Sequence, residues 1–281
     1  MRWFVCIVAV AFSALITAAE PAAEGAFENA ACVACHQTRD GELVNAWRRS
    51  GHGTTADTVT CVTCHGSSHN GAAQRARRDE HCAACHGGDP DPVVRSYATS
   101  KHGVISQLEQ DDWDWSRRLV SANYRAPGCA YCHMHNGDHD VGSRVRSWAP
   151  LEEPAARERE RLHYDIQMVC QDCHSSRYVE RLLDNGERML TMGRMKVREA
   201  ASIIERASRD FGDPELAEAK DYFSKMRSLH LKNLYLGSGH QSPDYQWWHG
   251  QPALDGDLLR IKSAISELHR IRAIANGRTA E

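Results

Sequence analysis

The sequence predicts a mainly α-helical chain with extensive coil and long helices at its C-terminal end. Three observations carry this expectation. No region of any length is rich in strand patterning. From residue 152 onward apolar residues fall at helical spacings, with recognisable starts and stops. Only 7% of the 281 residues are aromatic. That is thin for an ordinary core in a chain that length alone would allow to form one or two domains, so bound apolar material is expected to fill the interior.

Taken in order, residues 1–19 read as a secretory signal peptide. Arg2 gives a positive start, Trp3 to Ile16 is apolar, and Thr17-Ala18-Ala19 offers small residues before Glu20. The run is short for a spanning helix of about 20 residues, and an uncleaved anchor is the competing reading. Cys6 lies inside the run without a lipobox ahead of it. No second segment is apolar and long enough to cross a bilayer. Residues 20–30 are a loose Ala/Glu/Pro/Gly-rich leader. From 31 to about 175 short helices and loops are expected. Glu152-Glu153-Pro154 opens a charged helical stretch, and Val179, Leu182, Leu183, Leu190 and Ile203 mark a helix over 176–208. Asp213-Pro214-Glu215 reads as a helix start, with Asp as cap. That helix runs to about Leu236 and stops at Gly237-Ser238-Gly239. A last helix covers about 254–275. Beyond the signal peptide, the chain thus divides into 20–175 and a helical 176–281, and the second part is expected to pack back on the first rather than fold alone.

The chemistry lies in five copies of Cys-x-x-Cys-His: Cys32/Cys35/His36, Cys61/Cys64/His65, Cys82/Cys85/His86, Cys129/Cys132/His133 and Cys170/Cys173/His174. Their first cysteines are 29, 21, 47 and 41 residues apart. Each motif reads as a covalent c-type haem attachment site. Two thiols at this spacing add across the vinyl groups of one porphyrin edge, and the histidine that follows is carried under the ring to the iron. Ten of the 11 cysteines are used in this way, and the eleventh is Cys6. Zinc needs four ligands and usually pairs two such motifs, and five motifs do not pair. Five covalently bound haems, with iron, are therefore expected to form the core. Export fits, because such haem is attached outside the bacterial cytoplasm, and the expected location is periplasmic or otherwise exported.

A weaker repeat supplies opposite-face ligands. Trp47-x-x-Ser50-x-His52, Tyr97-x-x-Ser100-x-His102 and Tyr235-x-x-Ser238-x-His240 share the form aromatic-x-x-Ser-x-His, and the first two continue with Gly53 and Gly103. His52, His102 and His240 are read as distal iron ligands. His69 and His139 follow the second and fourth motifs too closely to ligate their own haem, and are assigned to neighbouring ones. His81, His135, His163, His230, His249 and His269 are read as surface or supporting histidines, with His230 as the reserve. Met134 could raise a haem potential as an axial ligand, but beside His133 its geometry is poor. With ten imidazoles for five irons no position is vacant, and no catalytic residue is assigned.

The runs Tyr97-Ala-Thr-Ser-Lys-His102-Gly103, Cys129-Ala-Tyr-Cys-His133-Met134 with His139-Asp140-Val141-Gly142, and Met168-Val-Cys170-Gln-Asp-Cys-His174 resemble the last three haem sites of hydroxylamine oxidoreductase-type multihaem cytochromes. His240-Gln-Ser-Pro-Asp-Tyr-Gln-Trp-Trp-His249-Gly250 is similar to the segment after the long helices of that group, and the Trp47 and Cys61 segments resemble its N-terminal sites. The resemblance spans most of the chain beyond the signal peptide. That family is octahaem, and its oxidising members cross-link a catalytic haem to a tyrosine. Here the missing motifs fall between residues 70 and 82, so Tyr245 has no such haem to join and hydroxylamine oxidation is not implied. Ammonia-forming nitrite reductases, the other pentahaem group, typically use Cys-x-x-Cys-Lys, which is absent.

The formal net charge is −3, and becomes −4 once Arg2 is removed. Propionates make it more acidic still, which argues against nucleic acid and favours a basic patch on a redox partner. The expected function is electron transfer between donor and acceptor proteins through bis-histidine haems. A membrane-associated quinol-oxidising partner is compatible with this, as is self-association through the charged helices at 176–236. The alternative is a reductase of nitrite, hydroxylamine, nitric oxide or a sulfur oxyanion at one five-coordinate haem.

Overall fold

A computed structural model describes residues 27–55, 59–87, 92–117, 125–145 and 156–278; the expected signal peptide lies outside them. Among the described residues there is no strand. The first half is a string of short helices: α1 (Asn29–Arg39), α2 (Gly41–Arg49), α3 (Gly51–Thr54), α4 (Cys61–His65), α5 (Ala72–Ala76), α6 (Asp79–His86), α7 (Val93–Ala98), α8 (Lys101–Glu109) and α9 (Cys129–His133). The second half is built of longer ones: α10 (Ala156–Cys170), α11 (Ser176–Ala207), α12 (Ala217–Lys225), α13 (Leu231–Gly239), α14 (Pro243–His249) and α15 (Gln251–Arg278). Among the described residues no helix is long and apolar enough to cross a membrane.

The motifs dictate the first half. Cys61–His65 and Cys129–His133 are each a single helical turn, Cys82–His86 ends α6, Cys32–His36 lies within α1, and the fifth motif starts at the last residue of α10 and continues as a turn. The helical motifs set two thiols and one imidazole on neighbouring positions. Among the described residues here, the buried apolar side chains are Val44, Ala46, Trp113, Trp115, Ala126, Ala130 and Tyr131.

The second half has a side-chain core of its own. At 32 residues α11 is about 48 Å long. Its buried Val179, Leu183, Leu190, Ala200 and Ile204 form one stripe. That stripe meets Leu216 and Ala219 beside α12, Leu231 and Leu234 of α13, and Leu254, Leu258, Ile261 and Ile265 of α15. The cluster is almost wholly aliphatic, which is why the low aromatic content gave no hint of it.

Two boundaries differ from expectation. Residues 213–216 form a turn and α12 starts at Ala217. Asp213 does not cap it, because its carboxylate accepts from Lys220 Nζ at 2.5 Å, while Glu215 takes the Gly212 amide at 2.8 Å. Between α12 and α13 the helix widens into a π turn, Met226–His230, which sets His230 against Asp257 at 3.3 Å.

Candidate functional site: five facing pairs of histidines

The first two copies of the aromatic-x-x-Ser-x-His repeat fold alike, for a visible reason. Ser50 caps α3 and Ser100 caps α8. Each hydroxyl accepts from the amide three residues on, Gly53 at 3.2 Å and Gly103 at 3.0 Å. The cap fixes a sharp turn after the preceding helix and throws His52 and His102 out at the second helical position. The turn brings Gly53 and Gly103 against the carbonyl of the repeat's own aromatic. A Cβ would lie 2.3 Å from the Trp47 oxygen and 2.1 Å from the Tyr97 oxygen, so only glycine fits. The third copy is a likeness of sequence only. Ser238 lies inside α13 and caps nothing, and His240 is the residue at which that helix ends. The chain then turns through Gln241 at a left-handed φ of 54°.

All ten histidines singled out from the sequence meet in five pairs, each joining one motif histidine to one remote one. Ring centroids are 6.3 Å apart for His36–His69, 6.0 Å for His52–His86, 6.1 Å for His65–His139, 6.0 Å for His102–His174 and 6.4 Å for His133–His240. The planes of His36/His69 and His65/His139 are near parallel, at 19° and 14°, while His133/His240 is tilted by 56°. A metal held by one nitrogen of each ring needs about 2 Å per bond and roughly 1 Å more from nitrogen to centroid, about 6 Å in all. The separations fit a metal between the rings. None of the ten motif cysteines is joined to another in a disulfide. Among the described residues no three or more His, Cys, Asp or Glu side chains converge on a bare metal ion; the imidazoles come in twos.

Electrostatics suit the neutral imidazole that binds metal. Burial pushes His52, His65, His102, His133 and His240 below the ordinary histidine value. His240 falls furthest, to about 4, with His133 adding to the effect of burial. Three rings have their Nδ1 engaged. His65 and His139 donate to the carbonyls of Ala72 at 3.2 Å and Gly137 at 2.8 Å, and His240 meets the Ser96 hydroxyl at 2.7 Å.

Successive motifs touch. Asn29 Oδ1 accepts from the Cys61 amide at 2.9 Å, joining the first motif to the second. The Cys64 thiol is raised by burial and by nearby Cys82 and Cys85, which places the second beside the third. Asp79 Oδ1 accepts from the Cys129 amide at 2.7 Å, joining the third to the fourth. Asp172, inside the fifth, accepts from Tyr131 Oη at 2.9 Å and His135 Nε2 at 2.8 Å beside the fourth. Asn29 and Asp79 each stand three residues before a first cysteine. That was the available signal for two residues the sequence reading missed.

The other histidines lie elsewhere. His230 and Arg260 both pair with buried Asp257. His163 lies 3.6 Å from Glu187, and His269 packs edge-on against Phe211. Tyr245 is buried with its ring 4.5 Å from that of His249.

The sequence profile described as "Seven times multi-haem cytochrome CxxCH" matches residues 56–213, and that of "Cytochrome c554 and c-prime" matches 12–66. A curated relative, the "Probable nitrite reductase-hydroxylamine oxidoreductase fusion protein" of Kuenenia stuttgartiensis, is 24% identical over 84% of this chain. The chain spans only 40% of that protein's length. Two solved structures share the fold. A chain of the "Kuenenia stuttgartiensis reducing HAO-like protein complex Kustc0457/Kustc0458" superposes with a TM-score of 0.59 at 18% identity, covering 89% of this chain and 87% of its own. A "Hypothetical multiheme protein" gives 0.62 at 15% identity, covering 80% and 61%.

Proposed function

Because the chain belongs to the multihaem cytochrome family marked by repeated CxxCH, we propose that it is an exported pentahaem cytochrome c that carries electrons between redox partner proteins through five bis-histidine haems. Covalent haem c and redox chemistry come with the family; the number five, the ligand pairs, export and the partners are our reading. The observation that carries it is the set of five facing histidine pairs. Under this reading Cys32, Cys35, Cys61, Cys64, Cys82, Cys85, Cys129, Cys132, Cys170 and Cys173 hold the porphyrins. His36, His65, His86, His133 and His174 take one face of the irons, and His69, His139, His52, His240 and His102 take the other in that order. Residues 20–175 wrap the haems, and 176–281 supports them and contributes His240.

Haem supplies a one-electron couple at each site. The protein's part is to set two imidazoles face to face at each site, so that oxidation state changes with little rearrangement. Its second part is to set the sites in a line. The contacts from each motif to the next support a relay running in chain order from the first site to the fifth.

A second reading has one observation in its favour. A cavity of about 280 Å³, lined by Arg95, His230, Tyr245 and His249 among others, opens one residue along α7 from the Ser96–His240 contact. The two Kuenenia proteins are named for nitrite reduction and for a reducing complex. Displacing His240 would give the fourth site an open face for a small nitrogen oxide.

Electron paramagnetic resonance and absorption of the oxidised protein separate the two. The carrier gives five haems per chain by mass, all low-spin and unchanged by nitrite or cyanide. A substoichiometric high-spin signal that responds to either anion favours the reductase.

A further inference from the structure

We infer that Ser96 is a positioning residue for the fourth haem site, fixing the tautomer of His240 so that its Nε2 is the nitrogen left for iron. This deepens the bis-histidine reading and rests on it.

Ser96 is fully buried in α7. Its hydroxyl has one hydrogen, donated to the Val93 carbonyl at 2.8 Å. With that hydrogen directed to Val93, the oxygen faces His240 Nδ1, 2.7 Å away, as an acceptor. The proton of His240 is thereby held on Nδ1 and Nε2 is bare. At His65 and His139 a backbone carbonyl does the same work, and a carbonyl survives any substitution. At His240 the acceptor is a side chain, so a single change can remove it.

The surroundings fix the ring's direction as well. Tyr97 meets His240 edge-on at 6.1 Å, and its hydroxyl is tied to the Pro127 carbonyl at 2.9 Å. Thr99 Oγ1 and Ser242 Oγ, 2.8 Å apart, pin the turn that follows His240. The segment then enters the Ser100 cap and α8, which carries His102. One stretch of chain, 93–102, thus bears on the remote histidines of two sites. Without the Ser96 oxygen, the buried Nδ1–H of His240 loses its acceptor. The ring is then free to move its proton to Nε2 or to rotate.

The test uses the full-length, haem-loaded protein. Ser96→Ala should keep five haems but alter one low-spin resonance signal and shift one of the five midpoint potentials. Ser96→Thr, which keeps the hydroxyl, should restore both, and Ser208→Ala, which removes an exposed hydroxyl at the far end of α11, should move neither. A Ser96→Ala protein identical to wild type in signal and potential overturns the inference, as does Ser208→Ala producing the same change as Ser96→Ala. His240→Ala separates this from failure of the parent reading. If that variant leaves every haem low-spin, the ligand assignment itself falls. Should Ser96→Ala not assemble, wild type with ¹⁵N-labelled histidine answers alone. A slowly exchanging Nδ1 proton at His240 is expected, and rapid exchange there contradicts the inference.

Discussion

Ser100, Gly103 and His102 form one device: a cap, a gap and a ligand. The hydroxyl sets the turn, the absent Cβ lets the turn close on the Tyr97 carbonyl, and the imidazole is delivered to face His174. Ser100→Ala should cost about 1 kcal/mol through the lost cap and let the fifth site acquire high-spin character. Gly103→Ala should cost more, roughly 1–3 kcal/mol or above, because the backbone must move to admit a methyl group. Denaturant melts of the two variants, read beside their visible spectra, check the order. An alanine at 103 as stable as wild type would contradict the close approach. Much at this scale was legible in the sequence, since every paired histidine sits in one of two repeats or just after a motif. What could not be read was which ring meets which. His240 and Ser96 are 144 residues apart, and no local pattern connects them. The third copy of the repeat shows the limit of pattern alone: the same letters that cap α8 lie inside α13.

At the scale of elements, α13 links the two halves. One side of it buries Leu231 and Leu234 against α11 and α15, and its end presents His240 to His133. Leu234 is fully buried. Leu234→Ala should cost about 2–5 kcal/mol and should disturb the fourth site before any other, because only that site draws its histidine from this helix. Chemical denaturation followed at the haem bands should show one component leaving early. A single transition at wild-type concentration would contradict the coupling. The long helices were read from the sequence near their observed positions, because aliphatic spacing survives along them. The π turn at Met226–His230 and the late start of α12 were not. Both depend on side chains meeting across the fold, His230 with Asp257 and Asp213 with Lys220.

Over the whole molecule, the two halves have different interiors. The long helices bury an aliphatic cluster from Ile166 to Ile265, whereas the described residues between 27 and 145 bury few apolar side chains. Polypeptide made without haem should therefore keep much of the helical signal of 166–265 and lose order before it. Limited proteolysis should cut first within 27–145 and spare a C-terminal fragment; uniform resistance along the haem-free chain would contradict this. The motifs announce the cofactor plainly, but the proposed order of sites rests on Asn29, Asp79 and Asp172, single side chains that reach from one motif to another, and on Cys64 lying near Cys82 and Cys85. The claim beneath all of this is that each iron lies between one motif histidine and one remote histidine. A diffraction structure of the haem-loaded protein, with iron located by anomalous scattering, tests it most directly. It should find five irons, flanked by His36 and His69, His65 and His139, His86 and His52, His133 and His240, and His174 and His102. An iron with any other sixth ligand, or with none, would contradict the account.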